Sequence, residues 1–85
     1  MSHYLYILKS ETTDKYYTGE SQNPEERLHF HNTIEKGFTS RYRPWRLVYK
    51  RECKDRSEAL RLERKVKSWK SKVMIKRLID GEIKI

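Results

Sequence analysis

The sequence predicts an α+β domain: a small three-stranded antiparallel sheet flanked by helices, in the order β-β-α-β-α-α, with residues 1–85 as a single unit. Three observations carry that prediction. Two short segments rich in Tyr, Leu and Ile stand close together with a polar turn between them. Two helix-capping signatures, Asn23 with Glu26 and Asp55 with Glu58, each open a run at helical spacing. A third strand-like segment lies between those two helices.

Residues 3–9, "HYLYILK", and 15–20, "KYYTGE", read as a hairpin across the polar "SETTD". Gly19 then ends the second strand or bulges it. A four-residue loop at 10–13 would set Tyr6 directly across from Tyr17, with both side chains on one face. In "NPEERLHFHN", Asn23 suits the N-cap, Pro24 the first helical position and Glu26 a capping box. Gly37 stops this helix or the turn after it.

"FTSRYRPW" reads as a basic, aromatic loop, and residues 46–53, "RLVYKREC", as the third strand. The helix begun at Asp55 puts Ala59, Leu62, Val66, Trp69 and Val73 on one apolar stripe. A break near Ser71 leaves a short last helix that ends near Gly81.

Composition narrows the function. The 85 residues carry a net charge of +8, which favours a polyanionic partner, nucleic acid before an anionic membrane surface. Cys53 is the only cysteine, so neither an internal disulfide nor a cysteine-rich zinc cage is available; a buried thiol is the expectation. The opening residues lack the apolar run of a signal peptide, and no segment has the apolar length to span a bilayer. The expectation is a cytoplasmic protein. The chain has no phosphate-cradling glycine loop, no Ser/His/Asp pattern and no His-rich metal spacing.

What the chain does have is a crowd of tyrosines, arginine and histidine in its first third. Arg27 and His31 are four apart and share a helix face. Two phenols, a guanidinium and an imidazole converge if that helix packs beside the hairpin. Glu63 falls beside the apolar stripe of the later helix, a reasonable place for a metal ligand, although spacing alone favours a surface pair with Lys67. Trp45 reads either as core or, with Tyr42, as a ring that stacks on an unpaired base.

Taken together and in order, these residues resemble the GIY-YIG nuclease family. Tyr4-Leu5-Tyr6 stands as the first motif and Tyr17-Thr18-Gly19 as the second. Arg27 and the "RLHFHN" segment follow, then Thr39 and "RPW" (43–45), then "EALRLERKVKSWK" (58–70) with Glu63. The match is to the short stand-alone bacterial branch, similar to the N-terminal domain of the UvrC excision nuclease. The first motif has Tyr4 for Gly and Leu5 for Ile, and the second has Thr18 for Ile.

The resemblance implies hydrolysis of nucleic-acid phosphodiesters, with DNA the favoured substrate and repair or processing the setting. It makes Tyr6, Tyr17, Arg27, His31 and Glu63 the catalytic candidates. Glu63 would hold one divalent cation, Mg²⁺ or Mn²⁺, and Arg27 would neutralise charge on the phosphate. Tyr6 is the first candidate for the base that activates water, with Tyr17 or a metal-bound hydroxide as alternatives. A free phenol is ionised in only roughly one molecule in a thousand at pH 7, so such a base needs a depressed pKa. Gly19, Lys15, Arg41, Tyr42, Arg43 and Lys67 are the candidates for nucleic-acid contact. Family members are often guided by added domains, which leaves room for a partner protein that supplies specificity. The competing reading is a catalytically weak or inactive nucleic-acid-binding module, and the third a structural or protein-interaction domain.

Overall fold

A computed structural model describes residues 2–34 and 36–85. Strand β1 (His3–Ser10) is central, between β2 (Tyr16–Ser21) and β3 (Trp45–Cys53), and both pairings are antiparallel. Helix α1 (Pro24–Thr33) follows the hairpin, and a 3-10 turn over Phe38–Tyr42 leads into β3. Helices α2 (Arg56–Trp69) and α3 (Lys72–Ile79) complete the α+β order read from the sequence. Among the described residues no helix is long and apolar enough to cross a membrane.

Four consecutive residues of β1, Leu5 to Leu8, are buried, so the central strand is covered on both faces. Alternation assigns them to two layers. Leu5 and Ile7 pack with Cys53, Ala59, Leu62, Val66 and Leu78, beneath α2 and α3. Tyr6 and Leu8 face the other way and pack with Trp45, against Tyr17, Leu28 and Tyr42. One residue of β3, Val48, has no partner in the β1 register, where Ile7 faces Tyr49 and Leu8 already faces Leu47.

The hairpin is two residues wider than a four-residue loop allows. Lys9 pairs with Tyr16, which sets Tyr6 opposite Gly19 and Tyr17 opposite Leu8. The cause is Ser10, whose buried Oγ accepts from the backbone N–H groups of Thr12 and Thr13 and donates to the Tyr42 carbonyl at 2.7 Å. That side chain organises a longer turn and ties it to the 3-10 segment. Because the shift is even, Tyr6 and Tyr17 keep a common face, diagonal rather than opposite.

Both helix starts are capped by the expected residues, each with half of the reciprocal box. Asn23 Oδ1 accepts from the Glu26 N–H at 3.2 Å, while the Asn23 N–H goes to Ser21 Oγ. Asp55 Oδ1 accepts from the Glu58 N–H at 2.9 Å, and Glu58 reaches back to the Lys54 N–H. Helix α1 ends at Thr33, ahead of Gly37, which instead heads the 3-10 turn. The later apolar stripe also stops early. Lys70 is left-handed at φ 49°, Ser71 caps a new helix, and Val73 turns out to solvent, 62% exposed.

The Asn32 side chain fastens the end of helix α1 to the start of β3. Asn32 donates through Nδ2 to the Trp45 carbonyl at 3.0 Å and accepts the Trp45 N–H on Oδ1 at 2.6 Å. It supplies both halves of a backbone pair at the point where β3 begins. Loss of both bonds leaves two polar groups beside a buried indole, so Asn32→Ala should destabilise the fold by about 2 kcal/mol. For a domain of this size the melting temperature should fall by roughly 10 °C in a thermal denaturation measurement.

Candidate active site

Alternation in β1 and β2 delivers Tyr6 and Tyr17 to the α1 side of the sheet, and the i, i+4 spacing in α1 delivers His31 to meet them. The ring centroids of Tyr6 and Tyr17 are 6.3 Å apart, and those of Tyr17 and His31 are 4.6 Å apart. Tyr6 is 1% exposed and His31 is equally buried, with Tyr6 Oη 3.2 Å from His31 Nε2. Tyr17 is only half-buried.

Gly19 makes this arrangement possible. It sits inside β2, neither ending the strand nor bulging it, and the Tyr6 ring lies over its Cα. A Cβ there would fall 2.7 Å from Tyr6 Oη and 3.1 Å from Tyr17 Cε2, closer than packed atoms approach. The glycine is therefore required by a side chain of its own sheet, independent of any substrate.

The far edge of the imidazole is held as well. His31 Nδ1 is 3.2 Å from Thr39 Oγ1, and the Thr39 carbonyl accepts the Trp45 indole N–H at 2.7 Å. Thr39 is buried in the 3-10 turn and couples the histidine to the core tryptophan. Sequence reasoning gave it no task, since a threonine in a basic loop has no periodicity to mark it. With Tyr6 donating to Nε2, Nδ1 carries the ring hydrogen and donates to the Thr39 hydroxyl.

Burial pushes the Tyr6 phenol up to about 12, reinforced by Tyr17 and by the negative charge of Glu63, while hydrogen bonding and the charge of the Arg27 guanidinium oppose the rise. Both charges thus act on the same hydroxyl. Arg27 comes from the first two turns of α1, with its guanidinium carbon 4.5 Å from the Phe30 ring centre. Glu63 comes from α2, which packs on the opposite face of the sheet. Its side chain is 17% exposed and bound by Lys67 Nζ at 2.6 Å, so the surface pair expected from spacing does form.

Among the described residues no three His, Cys, Asp or Glu side chains converge on a point that could hold a metal. An all-protein cage is therefore not offered. One half-buried carboxylate does fit a hard cation that keeps its waters and takes further oxygens from a phosphate.

The candidates for nucleic-acid contact divide. Arg41 is exposed, and Lys15 lies half-buried with Nζ 5.8 Å from the centre of the Tyr42 ring. Tyr42 is half-buried and packs on Phe38. Arg43 donates Nε–H to the His31 carbonyl at 2.8 Å, a bond internal to the site's framework. Lys67 is engaged by Glu63. Trp45 is 2% exposed and belongs to the core.

Tyr6 supplies a direct check. The acid is weaker in the folded chain than in the unfolded one, where it titrates near 10. Its contribution to stability is whole below pH 10 and is lost as pH rises toward about 12. In an alkaline titration followed by phenolate absorbance, Tyr6→Phe should remove a tyrosine that ionises near pH 12. Gly19→Ala, which must displace the ring, should bring that titration back toward 10 and lower the melting temperature.

Comparison with known proteins bears on the family and the fold. The GIY-YIG catalytic domain family matches residues 2–77. A UPF0213 protein of Staphylococcus saprophyticus is 32% identical over 80 residues, covering 93% of this chain and 96% of that protein. A UPF0213 protein of Staphylococcus haemolyticus is 36% identical over 75 residues, 87% of this chain and 90% of its own. The solution NMR structure of a UPF0213 protein from Bacillus halodurans superposes with a TM-score of 0.58 at 30% identity, over 94% of this chain and 84% of that one. Sheet order, helix layers and matched length place the chain in the GIY-YIG catalytic domain family, a family of nucleases, alongside the short UPF0213 proteins.

Proposed function

We propose that this chain is a metal-dependent endonuclease that hydrolyses phosphodiester bonds, with DNA as the favoured substrate. The observation that carries the reading is the buried Tyr6 phenol bonded to His31 and packed beside Tyr17, a hydroxyl on which the charges of Arg27 and Glu63 both act. Glu63 would hold one Mg²⁺ or Mn²⁺, whose chemistry is to polarise the scissile phosphate and ease departure of the leaving oxygen.

The protein's own groups divide the remaining work. Arg27 neutralises charge that develops on the phosphate oxygens. Tyr6 is a poor base: it is sealed from solvent, and a phenol at about 12 is ionised in roughly one molecule in 10⁵ at pH 7. Its hydroxyl serves better as a fixed donor that orients His31. Tyr17 has the solvent access that Tyr6 lacks, so the base role, first considered for Tyr6, passes to Tyr17. Water's proton leaves to that side as its oxygen attacks phosphorus and the opposite P–O bond breaks.

The second reading, an inactive nucleic-acid-binding module, draws support from one contact. The Lys67 ammonium, 2.6 Å from Glu63, already balances the carboxylate that a cation would need. Under the nuclease reading Lys67 competes with metal. Lys67→Met should then lower the Mn²⁺ concentration needed for half-maximal cleavage several-fold, measured by metal titration at fixed ionic strength.

The decisive experiment is cleavage of labelled single-stranded, duplex and branched DNA and RNA, with Mg²⁺, with Mn²⁺ and with chelator. Wild type should cut in a metal-dependent way and Glu63→Ala should abolish cutting. Tyr17→Phe should lower the rate by about 10²- to 10⁴-fold, and Tyr6→Phe by less. Binding without cleavage of any substrate in either metal would establish the second reading.

A further inference from the structure

Ile34, Phe38 and Val73 are the large apolar side chains left exposed among the described residues, and Phe38 alone of these is aromatic. It is 49% exposed, and one side of its ring is set against other aromatic rings. Its ring centre lies 4.9 Å from that of Tyr42 and 6.3 Å from that of Trp45. The next residue, Thr39, is bound through its hydroxyl to His31 and through its carbonyl to the Trp45 indole. Ser40 closes the turn onto the Gly37 carbonyl with both its N–H and its hydroxyl. Little conformational entropy remains to be lost when something covers this ring.

The location is as specific as the rigidity. Trp45 stands 6.5 Å from Tyr17, so Phe38 is two ring-to-ring steps from a tyrosine of the candidate active site. Two cations belong to the same region: Lys15 Nζ is 5.8 Å from the ring of Tyr42, on which Phe38 packs, and Arg41 is exposed in the same 3-10 turn. An open aromatic ring in a region that carries an ammonium and a guanidinium matches a base with its phosphates.

We propose that Phe38, backed by Tyr42 and with Lys15 and Arg41 in the same region, is a stacking platform for one unpaired nucleobase and directs the site toward single-stranded DNA. The proposal rests on the nucleic-acid substrate of the nuclease reading and adds its strandedness. Bases within a duplex already stack on their neighbours, so an exposed ring rewards a strand whose bases are free. Lys15 and Arg41 would hold the adjoining phosphates, the part of binding that falls with salt.

The test is equilibrium binding of the full chain, in chelator so that no strand is cut. The ligands are a labelled single-stranded oligodeoxynucleotide, an abasic strand of equal length and a duplex. Phe38→Ala should weaken single-strand binding about ten-fold while leaving the abasic strand and the salt dependence unchanged. Phe38→Trp should keep the affinity, with its fluorescence quenched by the single strand and not by the abasic one. Equal binding by wild type and Phe38→Ala would overturn the platform while the nucleic-acid reading stands, as would an equal loss on single and abasic strands. A homodimer that Phe38→Ala dissociates without any change in binding would assign the ring to a second copy of the chain instead. Absence of salt-dependent affinity for every polymer would remove the nuclease reading and this proposal together.

Discussion

The contact between the Tyr6 ring and the Gly19 backbone is the constraint on which the rest of the site depends. Leu5 to Leu8 are buried, so whatever β1 presents on its α1 face must be packed, not solvated. A phenol there needs a partner for its hydroxyl and room for its ring. Gly19 gives the room and His31 the partner. The demand then propagates: His31 needs Thr39, Thr39 meets the Trp45 indole, and the Trp45 backbone needs Asn32. Among the described residues every buried side-chain nitrogen and oxygen has a partner. A network satisfied throughout holds its members in one geometry, whereas each broken link would leave a costly orphan.

Electrostatics in this chain work at two scales. The +8 charge sets the long-range field of the surface, and pairs such as Lys50–Glu25 and Lys72–Asp14 sit exposed, where solvent screens them. The Glu63–Lys67 pair differs because the carboxylate is largely covered while the ammonium is not. Glu63 must keep a counter-charge, and an i+4 lysine can swing away without disturbing the helix. The same contact is a plain helix pair by spacing and, by burial, a carboxylate mostly withdrawn from solvent.

Much of the fold was legible because local rules enforced it. Period-two alternation, caps at Asn23 and Asp55, and Gly81 at φ 82° fixed strands, helix starts and the last stop. The errors came where one side chain overrode a local rule. Ser10 stretched the hairpin loop by two residues, and Lys70 adopted a left-handed backbone that cut the stripe before Val73. The site was legible to the extent that it is built on those same periods, which bring Tyr6, Tyr17 and His31 to one face. Thr39 was not, because its task follows from a 3-10 turn folding against α1. The unequal burial of the two phenols was not legible either, since both occur in like tripeptides.

Alternation also explains why the altered tripeptides are compatible with an intact site. Leu5 and Thr18, where the family motifs have Ile, point away from Tyr6, Tyr17 and Gly19. Leu5 is fully buried in the layer beneath α2, and Thr18 is buried and pairs with Ile7 of that same layer. These positions answer to packing, and leucine or a β-branched threonine serves there much as isoleucine does. Tyr4 is on the Tyr6 face but near the open end of β1, half-buried with Lys50 Nζ 5.1 Å from its ring centre. The residues that vary are those the core or the rim can absorb. Those that persist, Tyr6, Tyr17 and Gly19, are bound by a single steric contact, because any side chain at Gly19 would expel the Tyr6 ring that positions His31.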